Sequence, residues 1–267
     1  MTAVPVLRLD RVAAGHGKTP LWSDLTFDIA PGEFIAVLGG NGTGKTTLLR
    51  ILLGQLDPAA GRVEVLGSPP RRGNSKVGYV PQQHTFDRDL PLRGVDLVRL
   101  GLDGHRWGIA LPSRAAKQRV TTAITAVGAD SYATEPVGRL SGGEQQRLRV
   151  AQALVADPLM LLADEPLLSL DLASQQQVCA LLDARRRQAG TAVVVVTHEV
   201  NPVLPYADRV LYLAGGAWAA GAPDDVLTTE TLSRLYQAPV DVLRVRDRIV
   251  IVGTPDASHH PHHELRV

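Results

Sequence analysis

Cysteine is almost missing from this chain: 267 residues contain one, Cys179. A single thiol cannot close an internal disulfide, so a reducing compartment suits the protein. Cys179 stands beside Val178 and Leu181 in a helical stretch and reads as a small core residue, not a nucleophile. Aromatics are scarce, at 4% against 45% hydrophobic residues in all. That balance suits an aliphatic α/β core and excludes a disordered or disulfide-stapled chain. Net charge is only +1, which argues against a nucleic-acid partner, since phosphate contacts need a basic excess. No apolar run approaches the ~20 residues that span a bilayer, and Met1 to Pro5 lacks the basic segment and apolar core of an export signal. A cytoplasmic chain is expected, and any membrane process it serves needs a channel from other subunits. The length allows one large domain or two small ones.

What is present is a phosphate loop. Gly39-Gly40-Asn41-Gly42-Thr43-Gly44-Lys45-Thr46 fits the pattern G-x-x-x-x-G-K-[ST]. Before it, Phe34 to Leu38 reads as a buried strand; after it, Thr47 to Leu53 reads as a helix. Glycines let backbone N–H groups turn inward around an anion, and the helix N-terminus adds a positive dipole there. Lys45 supplies a full charge to β- and γ-phosphates, and the Thr46 hydroxyl is placed to ligate Mg²⁺. A nucleoside triphosphate is the expected ligand.

Apolar periodicity organises the rest. Residues 6–30 alternate apolar and polar (Leu7, Leu9; Leu25, Phe27, Ile29), as half-buried antiparallel strands do, and Arg62 to Leu66 continues the pattern. Leu159 to Ala163 and Ala192 to Val196 are continuous apolar runs, as in parallel strands covered on both faces. Ala173 to Gln188 between them reads as a helix, stopped by Gly190, so strand–helix–strand units build an open α/β layer. Residues 87–150 are helical by pattern, with breaks at Pro91, Gly104, Pro112 and Gly128. In Glu144 to Ala156, Leu148, Val150, Ala151 and Leu154 supply the apolar face, and Ser141 is placed to cap the helix. Residues 222–240 read as helical and 241–252 as a β-hairpin. Residues 253–267 carry His259, His260, His262 and His263 and read as a disordered tail; closely spaced imidazoles chelate Zn²⁺ or Ni²⁺, and a solvated tail is the plainer alternative.

A hundred residues after the phosphate loop comes Leu140-Ser141-Gly142-Gly143-Glu144-Gln145. It resembles the signature of ATP-binding cassette (ABC) proteins, and further segments match that family in its order. Tyr79-Val80-Pro81-Gln82 resembles the Q-loop, and Leu159 to Pro166 the Walker B strand with its adjoining glutamate. Ser169-Leu170-Asp171 resembles the D-loop and Val196-Thr197-His198 the switch histidine. The resemblance spans about residues 6–240 as a single domain. It implies a P-loop NTPase with a RecA-like parallel-sheet core, an N-terminal antiparallel β subdomain and an inserted α-helical subdomain at about 87–150.

Phosphoryl transfer needs positioned charge and an aimed water. The resemblance implies that Asp164, with Thr46 and Gln82, holds Mg²⁺; that Glu165 polarises the attacking water; that Gln82 contacts metal and water; and that His198 binds the γ-phosphate or orients the water. Gly39 to Thr47 would cradle ATP, with His16 at the position that stacks adenine. Ser141, Gly142, Gly143 and Asp171 would close over the nucleotide of a second copy bound head-to-tail, because a helix N-terminus is an anion site. ATP then bridges two subunits, and binding and hydrolysis become closure and release. The chain departs from the family at Gly40, where proline or serine is usual, at His16, where an aromatic is usual, and at Leu167-Leu168, which replaces a polar pair.

Val80 to Leu92, with Asp87-Arg88-Asp89-Leu90-Pro91, and His198 to Val210 resemble manganese/zinc-type ABC importers. That implies an ATPase homodimer on the cytoplasmic face of the membrane, taking up Zn²⁺ or Mn²⁺ through a separate permease, docked around residues 83–110, with an extracytoplasmic solute-binding protein upstream. Chelated iron or a cobalamin-like cargo is the near alternative. A soluble ABC ATPase acting on ribosomes or DNA would commonly fuse two cassettes or carry long basic insertions, and a P-loop kinase has no reason for Leu140 to Gln145.

Overall fold

The computed structural model describes residues 4–16, 19–82, 86–103 and 113–253, with the side chains of His16, Thr19 and Asp103 excepted. His16 as an adenine platform, Gln83 to Thr85, the breaks at Gly104 and Pro112, and the histidine tail therefore lie outside the described residues.

Alternation builds two cores at once. Strands β3 (Phe34–Leu38), β6 (Met160–Asp164) and β7 (Ala192–Val196) are buried at every position. Successive side chains nevertheless leave on opposite faces. Phe34, Ala36, Leu161, Ala163, Val193 and Val195 join one cluster; Ile35, Val37, Met160, Leu162, Val194 and Val196 join the other. A sheet sandwiched this way needs unbroken aliphatic strands, as the sequence shows. Each large side chain so buried contributes roughly 1.5–3 kcal/mol.

With β5 (Val77–Val80), β8 (Arg209–Ala214) and β9 (Ala217–Gly221) these strands form a six-stranded sheet in the order β5-β6-β7-β3-β8-β9. Pairing is parallel from β5 through β8, and β9 adds antiparallel. A second, antiparallel sheet runs β2-β1-β4, where β1 is Leu7–His16, β2 is Thr19–Ile29 and β4 is Ala60–Val65. It packs Leu7, Leu9, Trp22, Leu25 and Ile29 with helix α1 (Lys45–Leu52) into the second core.

The insert contributes α2 (Gly94–Asp103), α3 (Arg114–Ala126) and α4 (Gly142–Leu154), the last two joined through a short 3-10 turn at Val137–Arg139. Gly128 follows α3 with φ 65°, the left-handed end expected of it. Helix α5 (Leu172–Ala189) ends at Gly190, φ 66°. Residues 222–240 differ from the single helical stretch expected. They form α6 (Pro223–Val226) and α7 (Thr229–Tyr236), because the Thr228 hydroxyl accepts from the Thr231 amide and starts a new helix. Strands β10 (Asp241–Val245) and β11 (Arg248–Val252) form the expected hairpin. Cys179 is fully buried in the first core, and burial pushes its thiol up to about 12, so it is no nucleophile.

Candidate functional site

Topology gathers the chemistry before any side chain is considered. Because β5, β6, β7 and β3 run parallel and adjacent, their C-terminal ends lie on one edge of the sheet. The loops leaving those ends carry Gln82, Asp164–Glu165, His198 and the phosphate loop respectively. Open α/β sheets bind ligands along that edge. A cleft of about 250 Å³ opens there, lined by Leu21, Asn41, Gly42, Lys45, Gln82 and Glu165 among others. Volume alone would favour a cleft of about 840 Å³ against the N-terminal sheet, near Arg8, Phe27 and Arg209. There, however, the Arg209 guanidinium already lies over the Phe27 ring, 4.2 Å from its centroid, and bonds Asp28 and Glu33.

Close packing dictates the loop's glycines. Gly44 has φ 93°, and a Cβ there would lie 2.6 Å from Trp22 Nε1. At Gly39 a Cβ would come within 2.2 Å of the Leu213 carbonyl oxygen. Gly40 differs: its Cβ would meet only Thr43 Cγ2, at 3.9 Å, so a serine side chain fits. Lys45 is buried, and its ammonium donates to the Gly39 and Gly40 carbonyls at 2.8 Å each. The Thr43 hydroxyl donates to the Gly40 carbonyl at 3.0 Å. Burial pushes the Lys45 pKa down, while the charges of Glu165 and Asp164 oppose that shift. An ammonium held this way is desolvated and aimed before a phosphate arrives.

Asp164 ends β6, with 3% of its surface exposed. Its Oδ1 is buried and has no hydrogen-bond partner. Burial first, then the neighbouring Glu165 charge, push its carboxyl pKa up; the Thr46 hydroxyl, Lys45 and Arg50 pull the other way. Buried oxygens without a partner are rare and costly. A hard cation held by Asp164 and the neighbouring Thr46 hydroxyl would satisfy this oxygen, so the residues present fit Mg²⁺. Among the described residues no cluster of three or more His, Cys, Asp or Glu side chains could hold a resident metal.

Glu165 turns the chain at φ 45°, a left-handed conformation that costs a residue with a Cβ roughly 1 kcal/mol or more. Its amide donates to the Val196 carbonyl at 2.8 Å, and its own carbonyl accepts from Leu168 at 3.2 Å. The turn aims the carboxylate at His198, whose Nδ1 lies 3.0 Å from Glu165 Oε2. Gln175, buried in α5, ties the neighbouring loops together. Its Nε2 donates to Glu199 Oε2 at 2.8 Å and to the Leu167 carbonyl at 3.4 Å. Leu167, one of the departures from the family pattern, is 1% exposed and belongs to the core.

The signature segment stands apart. Ser141 caps α4 in a reciprocal box: its Oγ accepts from the Glu144 amide at 3.4 Å, and Glu144 Oε2 accepts from the Ser141 amide at 2.8 Å. Gly142 lines a different cleft, of about 690 Å³, with Arg88, Asp89 and Arg139; it shares no residue with the phosphate-loop cleft. A Cβ on Gly143 would lie 2.8 Å from Ser174 Oγ, so the signature lies against the first turn of α5, which Asp171 caps. Asp171 is spent on its own helix: its Oδ1 accepts from the Ser174 amide at 2.8 Å and its Oδ2 from the Ser174 hydroxyl at 3.0 Å. Those bonds hold its carboxyl below the usual carboxylate range. Within one chain, then, Lys45, Thr46, Thr47, Gln82, Asp164, Glu165 and His198 converge, whereas Ser141, Gly142, Gly143 and Asp171 do not join them.

Sequence reasoning missed Trp22 beneath Gly44, Leu21 at the cleft wall, Gln175 between the loops and Tyr79, whose hydroxyl pKa burial and Asp164 push up. Only Tyr79, within the Q-loop segment but given no role there, carried a local signal.

Comparison with known families and proteins bears on the family and the fold. The family model described as "ABC transporter" matches residues 22–168. The chain is 31% identical over 247 residues to the manganese transport system ATP-binding protein of Bacillus subtilis (strain 168), covering 92% of this chain and 98% of that one. It is 35% identical over 230 residues to the zinc transport system ATP-binding protein of Treponema pallidum (strain Nichols), covering 86% of each. Identity to the hemin import ATP-binding protein of Nocardia farcinica is 40% over 223 residues, covering 81% of this chain and 76% of that one. Among solved structures, an inward-facing metal-chelate type ABC transporter superposes with TM-score 0.79 at 28% identity, over 93% of this chain and 96% of that one. A dimeric ATP-binding cassette in a post-hydrolysis state with ADP and Pi superposes with TM-score 0.68 at 27% identity, over 81% of this chain and 98% of that one.

Proposed function

The chain belongs to the ABC transporter family of ATPases, and on that premise we propose that it powers an importer of a divalent transition metal, Mn²⁺ or Zn²⁺, from the cytoplasmic face of a membrane. Two copies would clasp ATP between the phosphate loop of one and Ser141–Gly143 of the other. Separate permease subunits would carry the ion, fed by an extracytoplasmic binding protein. Among the described residues no helix is long and apolar enough to cross a membrane.

One observation supports the sandwich: the parallel sheet edge gathers the phosphate loop, Gln82, Asp164, Glu165 and His198, while the signature faces a cleft of its own and Asp171 stays apart with Ser174. A phosphate seated in the loop would take the Lys45 ammonium from the Gly39 and Gly40 carbonyls. Charge on the transferring phosphoryl group is then met by Lys45 and by the amide groups at the start of α1. Asp164 and Thr46, with Gln82 from the neighbouring loop, are the residues that would hold Mg²⁺, which when bound supplies charge neutralisation and orients the phosphates. Glu165 would accept a proton from, or polarise, the attacking water, with His198 fixing the carboxylate's position. A positioned base of this kind contributes about 10²–10⁴-fold.

Metal cargo is supported by the manganese and zinc relatives and by Val80 to Leu92. The hemin relative favours a second reading, a chelated metal. Reconstitution with the permease in vesicles separates the two. ATP turnover stimulated by Mn²⁺ or Zn²⁺ with its binding protein supports the first reading; stimulation by a metal chelate alone supports the second.

A further inference from the structure

The C-terminal hairpin has two apolar faces and only one is covered. In the β10–β11 ladder Asp241 lies opposite Val252, Leu243 opposite Val250 and Val245 opposite Arg248. Since side chains alternate, these six share one face, while Val242, Ile249, Ile251 and, at its exposed margin, Arg244, which pairs with Asp224, share the other. The apolar part of the second face is covered: Ile249 is buried, and Val242 and Ile251 pack on the larger core. Asn201, three residues after His198, clamps it there. Its side-chain amide donates to the Ile249 carbonyl at 2.9 Å and accepts from the Ile249 amide at 2.8 Å.

The first face is open. Leu243, Val245, Val250 and Val252 are 44–57% exposed, half of the exposed large hydrophobics among the described residues. Leu172, directly after Asp171 and 65% exposed, lines one cleft together with His198, Asn201, Val250 and Ile251. The patch is thus continuous with the D-loop, which the proposed sandwich would bury. Charge selects the occupant. Asp241 stands at the open end of the face and Arg248 at its turn end. Laid on a copy of itself about a twofold axis, the face brings Leu243 and Val250 onto their own counterparts and each Asp241 opposite an Arg248. That self-complementarity is what an isologous contact requires, and contiguous exposed aliphatic surface marks such sites.

We infer that the outer face of the hairpin pairs with the same face of a second copy, a second dimer contact beside the nucleotide sandwich; the inference rests on the sandwich reading. Through Asn201 this contact is joined to the loop that carries His198.

The test is the dimer dissociation constant of the full chain carrying Glu165→Gln, by analytical ultracentrifugation in Mg–ATP. Adding Leu243→Glu with Val250→Glu should weaken the dimer at least tenfold while the circular dichroism spectrum is unchanged. Asp241→Arg and Arg248→Asp should each weaken it, and the two together should restore it. A Glu165→Gln chain that stays monomeric in Mg–ATP removes the sandwich reading and this inference with it. A chain that dimerises with the same constant whatever stands at 241, 243, 248 and 250 removes the inference alone. So does loss of permease binding with the dimer constant unchanged. Should the glutamate variants fail to fold, Val250→Cys decides the matter, since buried Cys179 does not compete: an ATP-dependent disulfide between copies supports the contact, and its absence overturns it.

Discussion

His198 Nδ1 lies 3.0 Å from Glu165 Oε2, across two loops that leave neighbouring parallel strands. An ionised carboxylate can only accept, so Nδ1 carries the proton in this bond and Nε2 is left for another partner. Glu165 and His198 therefore form one unit, and the left-handed φ of Glu165 makes that unit possible. Glu165→Gln keeps the shape and removes the carboxylate proposed as the base. Turnover should fall about 10²–10⁴-fold with ATP affinity nearly unchanged, measured by single-turnover hydrolysis beside equilibrium binding. His198→Ala should lower kcat more than it raises KM.

Lys45 should act on binding itself. On the proposed reading its ammonium would exchange two loop carbonyls for phosphate oxygens, charge-assisted bonds each worth roughly 1.5–3 kcal/mol. Lys45→Ala should weaken ATP binding about tenfold to 150-fold, read by fluorescent-nucleotide titration. Unaltered affinity would place the lysine outside the phosphate site.

Two glycines one turn apart should behave in opposite ways. Gly44→Ala forces a Cβ against the Trp22 indole at a positive φ; overpacking and backbone strain together cost roughly 2–4 kcal/mol. Gly40→Ser meets only ordinary contact, and by restricting the unfolded chain it should stabilise by up to ~1 kcal/mol. Thermal melts of both variants, with and without ATP, check the contrast.

Asp164 gives a pH dependence. Its carboxyl pKa is raised in the fold by burial and by Glu165, so the unfolded chain ionises at lower pH. Ionisation then costs the native state: the penalty is absent below the unfolded pKa, grows as pH rises, and is complete above the folded pKa. Asp164→Asn removes it, so at pH 7 the nucleotide-free variant should melt about 2 °C or more above the parent. The difference should shrink toward acid pH. Mg²⁺ with ATP should stabilise the parent and much less the variant, because the variant lacks the charge that would hold the ion.

Much of this was legible because the signals were local. The phosphate loop, the aliphatic strands and the Ser141 cap each lie within a few residues, where spacing alone decides the conformation. Contacts set by tertiary packing were not legible. Trp22 meets Gly44 only because β2 folds over the start of α1. Gln175 reaches Glu199 because α5 starts beside the loop after β7. Asn201 binds Ile249 across 48 residues. The stop between α6 and α7 hangs on one threonine hydroxyl, a signal weaker than the apolar spacing around it. Nor does the D-loop resemblance of Asp171 reveal that its carboxylate accepts from the Ser174 amide and hydroxyl.

The sandwich is tested most directly by ATP turnover per chain over a dilution series, run for the parent and for Ser141→Arg. If two copies complete each site, the parent's turnover per chain falls steeply on dilution, and Ser141→Arg, folded and still able to bind ATP, is inactive throughout. Turnover per chain that is constant on dilution and indifferent to Ser141→Arg would mean that one copy suffices, and would contradict the account.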